Sequence, residues 1–136
     1  MLLFGLITSD AMMEFAFLKK PELSPPGILF PIVWTILYSL MGISYARLKT
    51  KNLTNDKVNL LYYLQLGINA LWSIFFFSFE WRLFSFFWLI LLIVAVILMI
   101  KEFYAKDKIS GLLQIPYLLW LVFAAYLNLS IYLLNR

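Results

Sequence analysis

The stretch KPELSPPGILFPIVWTILYSLMGISY, residues 20–45, decides the fold of this chain. It begins with a proline-rich connector, and residues 28–46 carry no charged side chain. Those 19 residues would span about 28 Å as a helix, at ~1.5 Å per residue, which is close to the thickness of bilayer hydrocarbon. Ser24 is a suitable N-cap, and Pro25 and Pro26 follow where a helix tolerates missing amide hydrogens. The stretch therefore predicts a stiff connector that leads into a membrane-spanning helix.

Large side chains recur along one face of this helix. Steps of 4, 3 and 4 residues place four of them on a single stripe: Trp34, Tyr38, Met41 and Tyr45. Two interpretations fit such a stripe. It packs against other helices and anchors the chain at the membrane interface, or it forms one wall of a pocket behind the proline-rich loop. The spacing alone favours packing.

The whole chain is far more apolar than a soluble domain. Of its 136 residues, 64% are hydrophobic and 13% are charged, with a mean hydropathy of +0.90. Soluble domains are about half apolar and a quarter charged. We therefore predict an all-α, multi-pass bundle in the cell membrane, formed as one domain over residues 1–136. The net charge of +4 does not indicate nucleic-acid binding, because Lys and Arg lie in short loops between apolar runs.

The absence of Cys and His narrows the possible chemistry. Disulfides are excluded, as are metal sites that use thiolate or imidazole ligands and catalytic triads that use His or Cys. No catalytic residue, metal site or cofactor is predicted. The 19% aromatic content instead predicts interface belts and an interior in which flat rings pack against one another or against a flat ligand.

Five transmembrane helices are predicted, the first one short or truncated. Residues 1–18 hold an apolar run of only seven residues before Asp10 and Glu14 interrupt it, which is too short to span a bilayer. The remaining helices are predicted at about residues 28–47, 58–79, 83–101 and 111–134. They are joined by polar connections at residues 47–57, 80–82 and 101–110. The helix over 83–101 has almost no polar side chain, which suits a helix exposed to lipid.

The distribution of Lys and Arg predicts the orientation. The connections 47–57 and 101–110 hold four and three basic residues, so both are predicted to be cytoplasmic. The proline-rich connector and the C-terminus are then outside. Small residues at Gly42, Ala46 and Gly67 are expected to allow close helix approach.

Three amides lie well within the predicted helices, away from their ends: Gln65, Asn69 and Asn128. In hydrocarbon, an amide without a partner costs several kcal/mol, so these groups should face one another, backbone carbonyls or a ligand. Interhelical hydrogen bonding and the polar fixtures of an apolar pocket are equally good interpretations. Pro116 predicts a kink or an irregular start in the last helix, because it cannot donate to the carbonyl of Leu112.

Three sequence blocks, taken in register, form a specific pattern over residues 19–135. The first is Lys20-Pro21-x-x-x-Pro25-Pro26, then Phe30-Pro31-x-x-Trp34, Tyr38 and Met41-Gly42. The second is Gln65-Leu66 with Asn69-x-x-Trp72-Ser73, and the third is Pro116-Tyr117-x-x-Trp120, Ala124, Leu127-Asn128 and Asn135. The pattern resembles the tryptophan-rich sensory protein (TspO) family, also called the translocator protein or peripheral benzodiazepine receptor family. That family usually carries Trp at the position of Leu23.

The resemblance implies a five-helix bundle, often a homodimer, that binds porphyrins and in some members sterols and drug-like molecules. The pocket residues that it implies are Trp34, Asn69, Trp72, Trp120, Ala124 and Asn128. Residues on the same helical faces complete the predicted ligand site: Tyr38, Gln65, Ser73, Tyr117 and Leu127. The predicted loop or lid consists of Pro21, Pro25 and Pro26.

The leading function is therefore a membrane protein that binds porphyrin or haem-type tetrapyrroles for sensing, sequestration or transport. Without His or Cys, strong axial ligation of haem iron is not expected, so metal-free porphyrin or weakly held haem fits better. One alternative is a small multidrug-type exporter, which needs a carboxylate inside the membrane. Others are a porphyrin-degrading enzyme that uses Trp72 or Trp120 as a redox partner, and a structural subunit without a pocket.

Overall fold

The fold, seen in a computed structural model that describes residues 29–79 and 81–135, is a bundle of α-helices. The helices are α1 (Leu29–Thr50), α2 (Asp56–Ser73), α3 (Arg82–Lys106), α4 (Lys108–Leu112) and α5 (Ile115–Asn135), and a π-helical turn, Ile74–Ser78, extends α2. Within the described residues there is no strand, and four segments are long and apolar enough to cross a membrane. The all-α, multi-pass prediction is confirmed. The predicted first helix and the proline-rich connector lie outside the described residues.

Two predicted connections are shorter in the structure than in the sequence interpretation. The predicted loop at 47–57 is helical up to Thr50 and again from Asp56. Asn52, with φ of 58°, ends α1 in the left-handed conformation, and Leu53 N–H donates to the carbonyl of Leu48 at 2.9 Å. The prediction of a charged loop at 101–110 is wrong, because α3 continues to Lys106 and Asp107 caps α4 by accepting from Ser110 N–H at 3.1 Å.

The prediction that the most apolar helix faces lipid is only half right. One face of α3 is exposed, but the other forms the centre of the bundle, between α2 and α5. Its buried residues are Ser85, Leu89, Leu92, Ala95, Val96, Met99 and Phe103. The sequence did not distinguish the two faces, because a lipid-facing side chain and a core side chain are equally apolar.

The glycine that permits close packing is Gly111, not the two that the sequence singled out. A methyl group on Gly111 would lie 2.6 Å from Cβ and 2.7 Å from Cα of Tyr104, so α4 rests directly on the backbone of α3. The same methyl group on Gly42 or Gly67 meets nothing within 4 Å. Neither of those glycines is therefore needed for close packing among the described residues.

The C-terminal end of α1 is fastened to the start of α4. Ser44 Oγ donates to the carbonyl of Ser110 at 2.7 Å, and both side chains are buried. Asp107 pairs with Arg47 at 2.6 Å and with Lys51 at 3.2 Å. These contacts bring the two basic segments of the sequence to one end of the bundle, as predicted.

The last membrane-spanning segment starts irregularly, as Pro116 predicted. The short helix α4 ends at Leu112, and α5 begins at Ile115, so Pro116 lies in its first turn rather than in its middle. At that position a missing N–H costs little. The break sets the direction in which α5 crosses the bundle and presents Tyr117 and Trp120 to α1.

Candidate functional site

The N-terminal half of α1 faces α2 and α5 through aromatic side chains. Trp34 and Tyr38, one turn apart, stack with ring centroids 5.5 Å apart and an interplanar angle of 27°. Trp34 also meets the ring of Tyr117 at 6.3 Å and the ring of Trp120 at 6.5 Å, both edge to face. Of the stripe predicted on α1, Trp34 thus lies against α5, whereas Tyr45 stacks on Tyr62 of α2. Helices α1 and α5 contribute two rings each to one cluster.

Phe30 adds a fifth ring that the sequence prediction of the site omitted. Its centroid lies 5.7 Å from that of Trp120, again edge to face. The available signal was its position one turn before Trp34, within the Phe30-Pro31-x-x-Trp34 block. We call the cluster of Phe30, Trp34, Tyr38, Tyr117 and Trp120 the aromatic box.

A chain of hydrogen bonds runs from the aromatic box into the core. Tyr38 Oη donates to Asn69 Oδ1 at 3.1 Å, and Asn69 Nδ2 donates to Tyr117 Oη at 2.7 Å. Tyr117 Oη donates in turn to Gln65 Oε1 at 2.8 Å, and Gln65 Nε2 donates to the carbonyl of Tyr62 at 2.9 Å. Each hydroxyl or amide on the chain points its donor in the same direction, so α1, α2 and α5 are joined by one polar path.

This chain unites the two interpretations of the intramembrane amides. Gln65, Asn69 and Tyr117 are almost completely buried and satisfy one another, which is interhelical bonding. Yet Tyr38, at the outer end of the chain, belongs to the aromatic box. The polar groups are therefore held in fixed orientations beside a surface of flat rings.

Trp72 and Asn128 form a separate polar pair. Trp72 Nε1 donates to Asn128 Oδ1 at 3.1 Å, and Asn128 Nδ2 donates to the carbonyl of Arg82 at 2.6 Å. The Trp72 ring stacks on Phe76 with centroids 5.4 Å apart. These contacts tie α2, α3 and α5 together and leave both residues buried. The site predicted from the sequence is thus divided into the aromatic box with its hydrogen-bond chain and this Trp72–Asn128 pair.

The other predicted site residues differ in their surroundings. Ala124 and Leu127 are buried on α5, and Ala124 lies one turn after Trp120. Ser73 is half-buried, and its side chain makes no hydrogen bond to the residues that the structure describes. The predicted lid residues Pro21, Pro25 and Pro26 lie outside the described residues.

One buried polar atom of the aromatic box has no hydrogen-bond partner among the described residues. The indole nitrogen of Trp120 is buried, and no acceptor among the described residues receives its hydrogen. In an apolar environment such a donor costs free energy that an acceptor would recover. The aromatic box therefore offers flat apolar faces together with a buried N–H donor that has no acceptor within residues 29–79 and 81–135.

The described carboxylates lie away from the aromatic box. The carboxylates that the structure describes, Asp56, Glu102 and Asp107, all lie at or near helix ends. Over residues 29–79 and 81–135 no group of acidic side chains is able to hold a metal ion. The chemistry available at the box is stacking, apolar enclosure and hydrogen bonding.

Comparison with known proteins agrees with this architecture. The TspO/MBR family model matches residues 1–134. The chain belongs to the TspO/MBR family. Membership in the TspO/MBR family, together with four spanning helices, makes it a multi-pass membrane protein.

TspO/MBR relatives from distant organisms align over most of the chain. The tryptophan-rich protein TspO of Archaeoglobus fulgidus is 43% identical over 122 residues, which cover 89% of this chain and 79% of that protein. Protein CrtK of Rhodobacter capsulatus is 36% identical over 121 residues, covering 87% and 76%. The human translocator protein is 30% identical over 133 residues, covering 93% and 77%. The family resemblance read from the three sequence blocks is confirmed.

Proposed function

We propose that this TspO-family protein binds a porphyrin or a haem-type tetrapyrrole within the membrane, for sensing, sequestration or transport. The observation that carries the proposal is the aromatic box, together with the buried indole N–H of Trp120, which has no acceptor in the described part of the chain. A porphyrin is a large flat ring, and flat rings gain free energy by stacking and edge-to-face contacts with Trp and Tyr. The names of two relatives, tryptophan-rich sensory protein and translocator protein, favour a role in sensing or movement of a ligand.

The polar groups of the box suit a ligand that carries acceptors at its edge. The indole N–H of Trp120 has no acceptor among the described residues, and a carboxylate or carbonyl on the ligand would accept a hydrogen bond from it. Asn69 gives its amide hydrogen to Tyr117, so the group it turns toward α1 is its oxygen. A ligand donor, such as a pyrrole N–H, would replace Tyr38 at that oxygen. The Trp120 N–H thus needs an acceptor on the ligand, and the Asn69 oxygen needs a donor. A porphyrin offers both, with its carboxylates as acceptors and its pyrrole N–H groups as donors.

The absence of His and Cys bears on which tetrapyrrole fits. The chain has no His and no Cys, the side chains that most often hold haem iron. Its binding energy would come from the macrocycle rather than from the metal. We therefore expect metal-free protoporphyrin to bind at least as tightly as haem.

Titration of the purified protein with protoporphyrin tests the proposal. Quenching of tryptophan fluorescence should saturate at a fixed ligand-to-protein ratio, because a site holds a fixed number of ligands. Partition of the porphyrin into detergent or lipid would give quenching that rises without saturation. An unrelated helical membrane protein in the same detergent, with a similar Trp content, serves as the control. Absence of saturable quenching would overturn the proposal.

A further inference from the structure

One end of the bundle is strongly basic. The segments 47–57 and 101–108 contain seven Lys or Arg residues and three Asp or Glu residues, which gives this end a net charge of +4. The ion pairs Arg47–Asp107 and Lys57–Glu102 show that both segments lie at the same end. At the opposite end, the described residues contribute one charged side chain, Arg82.

Some of these basic side chains form ion pairs with described carboxylates, and others do not. Asp107 takes Arg47 and Lys51, and Glu102 takes Lys57 at 3.3 Å. The remaining carboxylate, Asp56, lies in the first turn of α2, where the helix dipole stabilises a negative charge. Four exposed lysines then make no ion pair with any described residue: Lys49, Lys101, Lys106 and Lys108. We call these four residues the free lysines.

Tyrosines at the same end indicate the depth of the free lysines in the membrane. Tyr45 and Tyr62 stack with centroids 4.2 Å apart, and Tyr63 meets both rings edge to face. The ammonium of Lys49 lies 5.9 Å above the Tyr45 ring. Tyr104, on the outer face of α3, is half exposed and lies between Lys101 and Lys108 in the sequence. Because tyrosines collect at the level of lipid headgroups, lysines beside them reach the phosphate layer.

We propose that the free lysines bind the headgroups of anionic phospholipids, of the phosphatidylglycerol type, in the leaflet that this end contacts. A lysine ammonium is a compact point charge that suits a single phosphate. Clusters of four or more basic residues directly beside membrane helices attract anionic lipid in this way. Arg47, Lys51 and Lys57 are paired within the protein and join helices. The free lysines are therefore the cations at this end that remain for the lipid.

Spin-label measurements on the full chain test this proposal. The protein is reconstituted in phosphatidylcholine vesicles with a trace of spin-labelled phosphatidylglycerol or phosphatidylcholine, and the motionally restricted fraction gives their relative association constant. We expect phosphatidylglycerol to be preferred about fivefold for each lysine that contacts the lipid, and the preference to fall in 0.5 M salt. Equal restriction of the two lipids would overturn the proposal. That is also the result expected if this end binds an acidic protein rather than lipid.

Variants separate local contact from diffuse charge. The triple change Lys101→Gln, Lys106→Gln and Lys108→Gln should remove most of the preference, and the same three changes to Arg should keep it. Lys57→Gln removes the same charge as Lys108→Gln from the same end, but Lys57 is already paired with Glu102. We therefore expect Lys108→Gln to lower the preference more than Lys57→Gln does. Equal effects of these two changes would contradict binding by the free lysines.

Discussion

Tyr38 on α1 donates a hydrogen bond of 3.1 Å to the amide oxygen of Asn69 on α2. The backbones of these two helices make little close contact. The close backbone contact of α1 is instead with α4, at the C-terminal end of α1. The N-terminal half of α1 is thus joined to the described bundle by side chains, which include this bond, the rings of the aromatic box and the buried Leu37. A ligand that enters between α1 and α5 would have to compete with these contacts.

Removal of the Tyr38 hydroxyl should destabilise the bundle. Tyr38→Phe leaves the oxygen of Asn69 without its donor in a buried site, and we expect the free energy of unfolding to fall by about 1 kcal/mol. Tyr45→Phe is the matched control, because Tyr45 bonds to Asn59 at the membrane interface, where water replaces the lost hydroxyl. Unfolding by a denaturing detergent measures both. An equal loss in the two variants would contradict the importance of the buried position.

Removal of the Tyr117 hydroxyl should cost more. This hydroxyl accepts from Asn69 and donates to Gln65. Tyr117→Phe therefore leaves Asn69 Nδ2 without this acceptor and Gln65 Oε1 without this donor, both in buried positions. We expect a loss of about 2 kcal/mol, larger than that of Tyr38→Phe in the same unfolding assay. If Tyr117→Phe proves the milder change, the chain of hydrogen bonds is not the path that holds α2 to α5.

The three described glycines should respond differently to substitution. Gly111→Ala forces a methyl group to within 2.6 Å of Tyr104, where the nearest atoms include backbone, and should destabilise the protein by roughly 1–3 kcal/mol. Gly42→Ala and Gly67→Ala meet nothing within 4 Å and replace a poor helix former by a good one. They should be neutral or stabilising in the same assay. Destabilisation by all three would mean that Gly42 and Gly67 also pack closely.

Asp107 should make stability depend on pH. The hydrogen bond from Arg47, and then that from Ser110, hold the pKa of the Asp107 carboxyl well below its ordinary value of 3.8. Because folding lowers this pKa, the stabilisation is complete above the ordinary value and is lost as the pH falls from there toward the folded value. Asp107→Asn should therefore destabilise the protein at pH 7, with a difference from wild type that shrinks below about pH 4. A difference that is constant from pH 7 to pH 3 would rule out this ion pair as the cause.

Much of the architecture was predictable because the bilayer imposes it. A helix must satisfy its own backbone in hydrocarbon, so apolar runs of sufficient length define the helices, and polar breaks define their ends. The stripe of Trp34 and Tyr38 and the amides Gln65 and Asn69 followed from helical periodicity. Pairing among them was not predictable, since spacing shows that side chains share a face but not which neighbouring helix they meet.

Three features could not be predicted from the sequence, each for a physical reason. The two faces of α3 look alike, because core and lipid both select apolar side chains. Asp107 looked like one charge in a loop, whereas it caps α4 and binds Arg47 from a segment 60 residues away. The division of the site, with Trp72 paired to Asn128 and away from the aromatic box, depends on how α5 crosses α2, which no local pattern encodes.

Porphyrin affinity across a small set of variants tests the aromatic box most directly. Trp34→Ala and Trp120→Ala should each weaken protoporphyrin binding by roughly 5- to 150-fold, since a lost stacking ring costs about 1–3 kcal/mol. Ala124→Phe should block the site by filling space next to Trp120. Trp88→Phe is the control, because Trp88 donates to the carbonyl of Ile68 on the outer side, away from the box, and packs on Phe75. Binding that survives the first three changes and is lost with Trp88→Phe would place the ligand on the lipid-facing surface and contradict the proposed site.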